Sequence, residues 1–181
     1  MEICTQKFRL CPSEAQAELI EKTFLCCRTL WNRMISDEEK LRQEMGRHFI
    51  PAPARYKREM PGLKEIDSLA LSSLHQKLEK AFRNHLYNPH DHPKPEPMAE
   101  VYCYTTFCQA TKYGPTVRFT QEGLKLPKLG VVKTEPHREL PGESLIKSVV
   151  IQKDGRGYLC ILTYEAVAEA PAAAAMERLP A

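Results

Sequence analysis

A chain of 181 residues with 43% hydrophobic and 27% charged residues has enough apolar material for one core or two small ones. Its net charge of +3 is too mild to name a polyanionic partner by itself. No apolar run approaches the ~20 residues of a membrane-spanning helix. The opening MEICTQKFRL has an early acid and no apolar h-region, so no export signal is read there and a cytoplasmic protein without membrane attachment is expected.

Glu2 to Leu10 alternates, with Ile3, Thr5 and Lys7 on one side and Cys4, Gln6, Phe8 and Leu10 on the other. That period predicts a half-exposed strand, ended by Pro12. Ser13 with Gln16 three residues later forms a capping box and predicts a helix start. Ile20, Phe24, Cys27, Trp31, Met34 and Leu41 follow at spacings of three and four, a helical stripe that runs to about Met45 with Gly46 as its stop. His48 to Gly62 contains Pro51, Pro53 and Pro61 and reads as loop with at most one short helical turn. Asp67 is a candidate N-cap for a second helix striped by Leu71, Leu74, Leu78, Ala81 or Phe82, and His85 or Leu86, so the two helices predict a hairpin sharing one seam.

Asn88 to Pro97 holds four prolines and reads as a linker. Beyond it, Val101–Thr106, Thr116–Phe119, Leu124–Leu126, Val131–Thr134, Ile146–Lys153 and Tyr158–Tyr164 predict short strands. Gln121-Glu122-Gly123 is a turn, and Asp154-Gly155-Arg156-Gly157 a tight hairpin. Many short strands at close spacing predict a barrel or sandwich. The first strand cannot stand alone and is expected to pair with the late ones, leaving the helices as an insertion.

Seven cysteines without a Cys-x-x-Cys pair read as reduced, mostly buried thiols, with Cys103 and Cys108 taken as packing. His90-Asp91-His92 could ligate a cation, but a proline-rich linker does not hold ligand geometry, so neither metal nor cofactor is expected. Cys26-Cys27 lack a neighbouring histidine, and Asp37-Glu38-Glu39 read as a solvated acidic face. No phosphate-cradling glycine loop is present.

Binding chemistry remains. Ser73, Gln76, Lys77, Lys80 and Asn84 fall opposite the leucine stripe of the second helix, a wet face that could equally meet phosphates and base edges. From Val101 to Glu165, nine Lys/Arg stand against six Asp/Glu. Lys125, Lys128, Lys133, His137, Arg138, Lys147 and Lys153 are interleaved with Tyr102, Tyr104, Phe107, Tyr113 and Phe119, although half of these aromatics could serve a core instead.

Three stretches, KFRLCPSEAQAELIEKTFLCCRTLWN, LKEIDSLALSSLHQKLEKAFRNH, and LKLPKLGVVKTEPHRELPGESLIKSVVI followed by GYLCILTYE, resemble in order the N-terminal region of the TnpB (OrfB) proteins of bacterial insertion sequences, relatives of type V CRISPR effectors. The Leu-Pro-Lys-Leu-Gly block and the Arg-Leu-x-Pro-x-x-x-Gln start are the most specific pieces. The resemblance implies an α+β fold: a small antiparallel, OB-like wedge β-barrel interrupted by a helical insertion. Its parts would be residues 1–11 and 98–165 for the barrel, 12–97 for the insertion, and 166–181 for an alanine-rich tail.

The resemblance also implies a lobe that holds a guide RNA and helps read a short motif beside a duplex DNA target. In that family a following RuvC-like domain cuts DNA with magnesium-binding carboxylates. Here Glu165 is followed by AVAEAPAAAAMERLPA, without that triad, so the chain alone is expected not to cleave. The alternatives are one half of a split nuclease completed by a separate RuvC-like polypeptide, a DNA-binding repressor, or a decayed remnant. The residues expected to contact nucleic acid are Arg9, Arg28, Arg33, Tyr56, Gln76, Lys77, Lys80, Asn84, Thr105, Thr106, Lys125, Lys128 and Arg138. Phe107 departs from the polar residue expected after Thr105-Thr106.

Overall fold

The computed structural model describes residues 2–87, 90, 93–94, 102–136, 139–141 and 144–166. Strand β1 (Glu2–Cys11) leads through Pro12 into helix α1 (Glu14–Met45). The short helix α2 (Pro53–Tyr56) and a 3-10 turn at Pro61–Lys64 precede helix α3 (Ser68–Tyr87). Strands β2 (Cys103–Phe107), β3 (Ala110–Thr111), β4 (Gly114–Pro115), β5 (Arg118–Thr120), β6 (Gly123–Leu126), β7 (Gly130–Thr134), β8 (Leu145–Asp154) and β9 (Gly157–Ala166) follow.

β1 behaves as its alternation requires: Phe8 and Leu10 are buried while Ile3 is exposed. It lies inside the sheet rather than at its edge, antiparallel to β9 from Glu2↔Ala166 to Leu10↔Tyr158 and meeting β7 at Leu10↔Thr134 and Cys11↔Lys133. The pairing with late strands is the one expected from sequence.

The expected barrel is not formed. Seven strands make an open antiparallel sheet in the order β2-β8-β9-β1-β7-β6-β5, with β2 and β5 as its two edges. Two features accompany the open order. α3 packs against β2. The chain after β2 then turns away as the separate β3–β4 hairpin, so β2 and β5 approach only at its base, where the Thr116 amide donates to the Gln109 carbonyl at 2.9 Å.

α1 starts on the predicted capping box: the Ser13 hydroxyl accepts from the Gln16 amide and the Gln16 side chain accepts from the Ser13 amide. The Gln16 Nε2 also donates to the Leu129 and Val131 carbonyls at 3.0 and 2.9 Å, fastening the helix start to β7. A glutamate at this position would keep the cap and lose that tie. Gly46 closes the helix in the left-handed region at φ 65°. The predicted stripe is buried except Leu41, and it is wider than predicted, since Leu30 and Ile35 are buried too.

Three expectations on polar residues are corrected. Glu38 is not on a solvated acidic face: it is 1% exposed, and its Oε1 lies 2.8 Å from His48 Nδ1. A carboxylate at that depth requires such a partner. Ser73 is buried rather than part of the wet face of α3, because β2 packs there. Of the seven free cysteines only Cys27 and Cys160 are buried; Cys11 and Cys103 are exposed because they occupy outward positions of the strand pleat.

Cys160 lies between β8 and β1, and burial pushes its thiol up from 9.0 to about 12. The folded state therefore holds this proton more tightly than the unfolded chain. The resulting stability is fully present below pH 9 and lost as pH rises towards 12. The urea midpoint is expected to fall between pH 9 and 11. Cys160→Ala should be less stable at pH 7 yet show a shallower fall across that window; an unchanged pH slope refutes this assignment.

Candidate nucleic-acid interface

α1, α3 and β2 converge on a narrow cleft of about 50 Å³, and this is where sequence-predicted residues meet. Arg28 comes from α1, Lys77 from α3 and Thr105 from β2, with the exposed thiol of Cys103 beside them. Cys103, taken as packing from sequence, thus lines the cleft. Each side chain owes its place to a packed neighbour on its own element. Cys27 precedes Arg28 and is buried; Leu74 and Leu78 hold the seam beneath Lys77; Tyr104 points inward between Cys103 and Thr105. Lys77 is further steadied by the Trp31 ring, whose centroid lies 5.4 Å from its Nζ.

Asp67 joins α3 to β2 behind the cleft. Its Oδ1 accepts from the Leu69 amide at 2.9 Å and so caps α3, while its Oδ2 accepts from the Thr106 hydroxyl across to β2. Both residues are buried. Tyr104 lies nearby, and burial together with the Asp67 charge pushes its phenol well above the usual range, so it stays neutral. The N-cap predicted at Asp67 is therefore also the joint between helix and sheet.

The remaining expected contacts divide by position. Gln76, Lys80 and Asn84 are exposed along α3 and extend the surface that begins at Lys77. Thr106 and Tyr56 belong to the core: Thr106 spends its hydroxyl on Asp67, and Tyr56 is 2% exposed, its phenol pushed up by burial and the Asp37 charge. Neither is presented to a surface ligand. Arg33 is exposed but bound to Asp37 and Glu59 at 3.1 and 3.3 Å. Arg9 is held by Asp154 at 2.8 Å, where the β8–β9 turn meets β1, and its guanidinium in turn holds the Asp154 carboxyl below its usual range. Arg138 lies outside the described residues, as do His137, Asp91, His92 and the alanine-rich tail beyond Ala166.

The basic strands also separate. Lys147 and Lys153 are paired with Glu165 and Glu21, each at 2.5 Å. Lys125 and Lys128 instead line a second, open groove with Arg118 and Tyr113, remote in sequence from the helices. Sequence reasoning missed Arg118; its alternation with Phe119 across from Lys125 in the β5–β6 ladder is the signal that could have found it. Among the described residues no group of His, Cys, Asp and Glu could hold a metal ion, and no helix is long and apolar enough to cross a membrane.

Residues 4–47 match the family model of the helix-turn-helix domain of OrfB proteins of IS605-type insertion sequences. No curated protein matches the chain. Within the matched residues the structure contains β1 and α1 joined at Pro12–Ser13, and no second helix. The helical partner of α1 is α3, which lies outside the match. By this match residues 4–47 are similar to the N-terminal helix-turn-helix region of the OrfB (TnpB) proteins of IS605-type insertion sequences.

Proposed function

We propose that this protein binds DNA as part of an insertion-sequence system, and that the surface of α3 from Lys77 to Asn84, with the adjoining cleft, is where it does so. The family match over residues 4–47 carries the reading. The placement of Arg28, Lys77 and Thr105 around one cleft, continued by exposed Gln76, Lys80 and Asn84, supports it. Lysine and arginine there meet phosphates, while Gln76 and Asn84 offer amides to base edges. α1 cannot act as a recognition helix along its length, because its apolar band is committed to the core.

The finer reading follows the resemblance of the strand-rich half to the wedge of the TnpB family. The first polymer held is a guide RNA and the second a duplex DNA, with cleavage absent from this chain. Filter binding with labelled RNA and duplex DNA across a salt series tests it. Three phosphate contacts predict a log–log salt slope of about −3 on duplex DNA. Lys77→Glu with Lys80→Glu should lower duplex affinity at least about tenfold at low salt and flatten that slope. No affinity for either polymer at low salt overturns the reading, and affinity for duplex alone removes the guide-RNA part.

A further inference from the structure

The second groove lies between the β3–β4 hairpin and the β6–β7 turn and encloses about 410 Å³. Its walls carry Arg118, Lys125 and Lys128 together with Tyr113, Pro115 and Pro127, and no acidic side chain. Lys125 and Lys128 have no ion-pair partner among the described residues, unlike Arg9, Arg33, Lys147 and Lys153. Arg118 is fixed by a 3.2 Å donation from Nη1 to the Pro115 carbonyl, which leaves the rest of its fork free.

Tyr113 stands at the rim, 80% exposed, the most exposed large hydrophobic side chain among the described residues. The Lys112 ammonium lies 4.9 Å from its centroid. The hairpin beneath is held by its own bonds: the Thr111 hydroxyl donates to the Gly114 carbonyl at 2.7 Å and accepts from the Tyr113 amide at 3.2 Å. The ring is therefore displayed on a braced support while contributing nothing to the core. Lys128 adds a second oddity. It is the one non-glycine residue at positive φ among the described residues, at 66°. Glycine would relieve the backbone cost of that conformation. The left-handed turn instead directs a lysine stem to the groove.

We propose that this groove holds single-stranded nucleic acid, with an unstacked base lying on Tyr113 and the flanking phosphates on Arg118, Lys125 and Lys128. A flat ring beside three cations suits a base with its phosphates, since stacking tolerates any base and the charge follows the backbone. A duplex buries its base faces in its own stack and offers Tyr113 only an edge. The inference rests on the nucleic-acid reading above but concerns a different surface, and it adds a strand class that the helix-side cleft does not specify.

The test uses the full chain with three fluorescein-labelled probes: a twelve-nucleotide oligo(dT), a twelve-nucleotide oligo(U) and a twenty-base-pair duplex. The intact protein should bind the single strands, and the stronger of the two identifies DNA or RNA as the source. Tyr113→Ala should weaken single-strand binding about tenfold and leave duplex binding within twofold. Lys125→Ala with Lys128→Ala should make the single-strand salt slope shallower by about 1.4. Tyr113→Trp adds an exposed indole to a chain whose single tryptophan, Trp31, is buried, and its fluorescence should be quenched on adding the bound oligonucleotide. The inference fails if the intact protein ignores both single strands, if Tyr113→Ala changes neither, or if it weakens strand and duplex alike. Duplex binding that persists through those failures leaves the helix-side function standing; loss of duplex binding by the intact protein removes that function instead.

Discussion

Gly123→Ala is expected to destabilise the fold by about 3 kcal/mol or more, enough to threaten a marginal domain. Gly123 opens β6 at φ 150° and lies directly over β7. A Cβ there would stand 2.1 Å from the Val132 carbonyl oxygen, 2.9 Å from its carbon and 3.0 Å from Lys133 Cα. All three are backbone atoms of a paired strand, so no rotamer change relieves the clash. Relief requires β6 and β7 to separate, which exposes Leu124 and Val132, both 0% exposed in the fold. Gly130→Ala is the internal control: its φ of 72° is also left-handed, but nothing lies within 4 Å of the added methyl. That variant should lose only about 1 kcal/mol from the backbone conformation. Urea unfolding of the two variants beside the parent decides the matter, and equal losses would show that the close approach of β6 to β7 is not a constraint.

Asp67→Ala is expected to cost about 2–4 kcal/mol, the sum of a lost helix cap and a buried hydroxyl left without its acceptor. The two parts can be separated. Thr106→Val in the Asp67→Ala background removes the orphaned hydroxyl and should restore about 1–2 kcal/mol, a coupling that appears as non-additivity in a double-mutant cycle. Additive losses would mean that Asp67 and Thr106 act independently. The same cycle, followed by duplex binding at saturating stability, also separates Thr106 as a structural residue from Thr105 as a surface one.

The local signals in this chain were readable because they are short-range physics. Ser13 with Gln16, Gly46, Asp67 and the Asp154–Gly157 turn depend on neighbouring backbone groups, and each appears where its residue type requires. The helical stripes also held, because burial at every third or fourth position leaves few alternatives. Closure of the sheet was different. Whether seven strands form a barrel depends on whether β2 and β5 meet, and the packing of α3 against β2 is not encoded in any strand.

The candidate site divides in the same way. Composition found the lysines but not their partners. Lys147 and Lys153 looked like Lys125 and Lys128 in sequence, yet two are neutralised by acids 18 and 132 residues distant, Glu165 and Glu21. Glu38 was misread because charge predicts solvent exposure only when no tertiary partner such as His48 is brought to it. Tyr56 and Thr106 illustrate the converse, polar side chains whose tertiary neighbours take them inward.

The interior position of β1 has a consequence for the order of events during synthesis. Its first partner along most of its length is β9, so Lys7 must wait for Ile161 before the central pairing can form. At roughly 5–20 residues per second, that wait is about 8–30 s. Until then most of β1 lacks its β9 partner and presents unpaired donors and acceptors, the kind of edge that recruits other chains. α1 follows β1 immediately and can form early from its own cap. The opposite end of the chain thus controls when the nascent protein ceases to be sticky, and crowding several copies on one message should favour aggregation through β1 before any of them has finished.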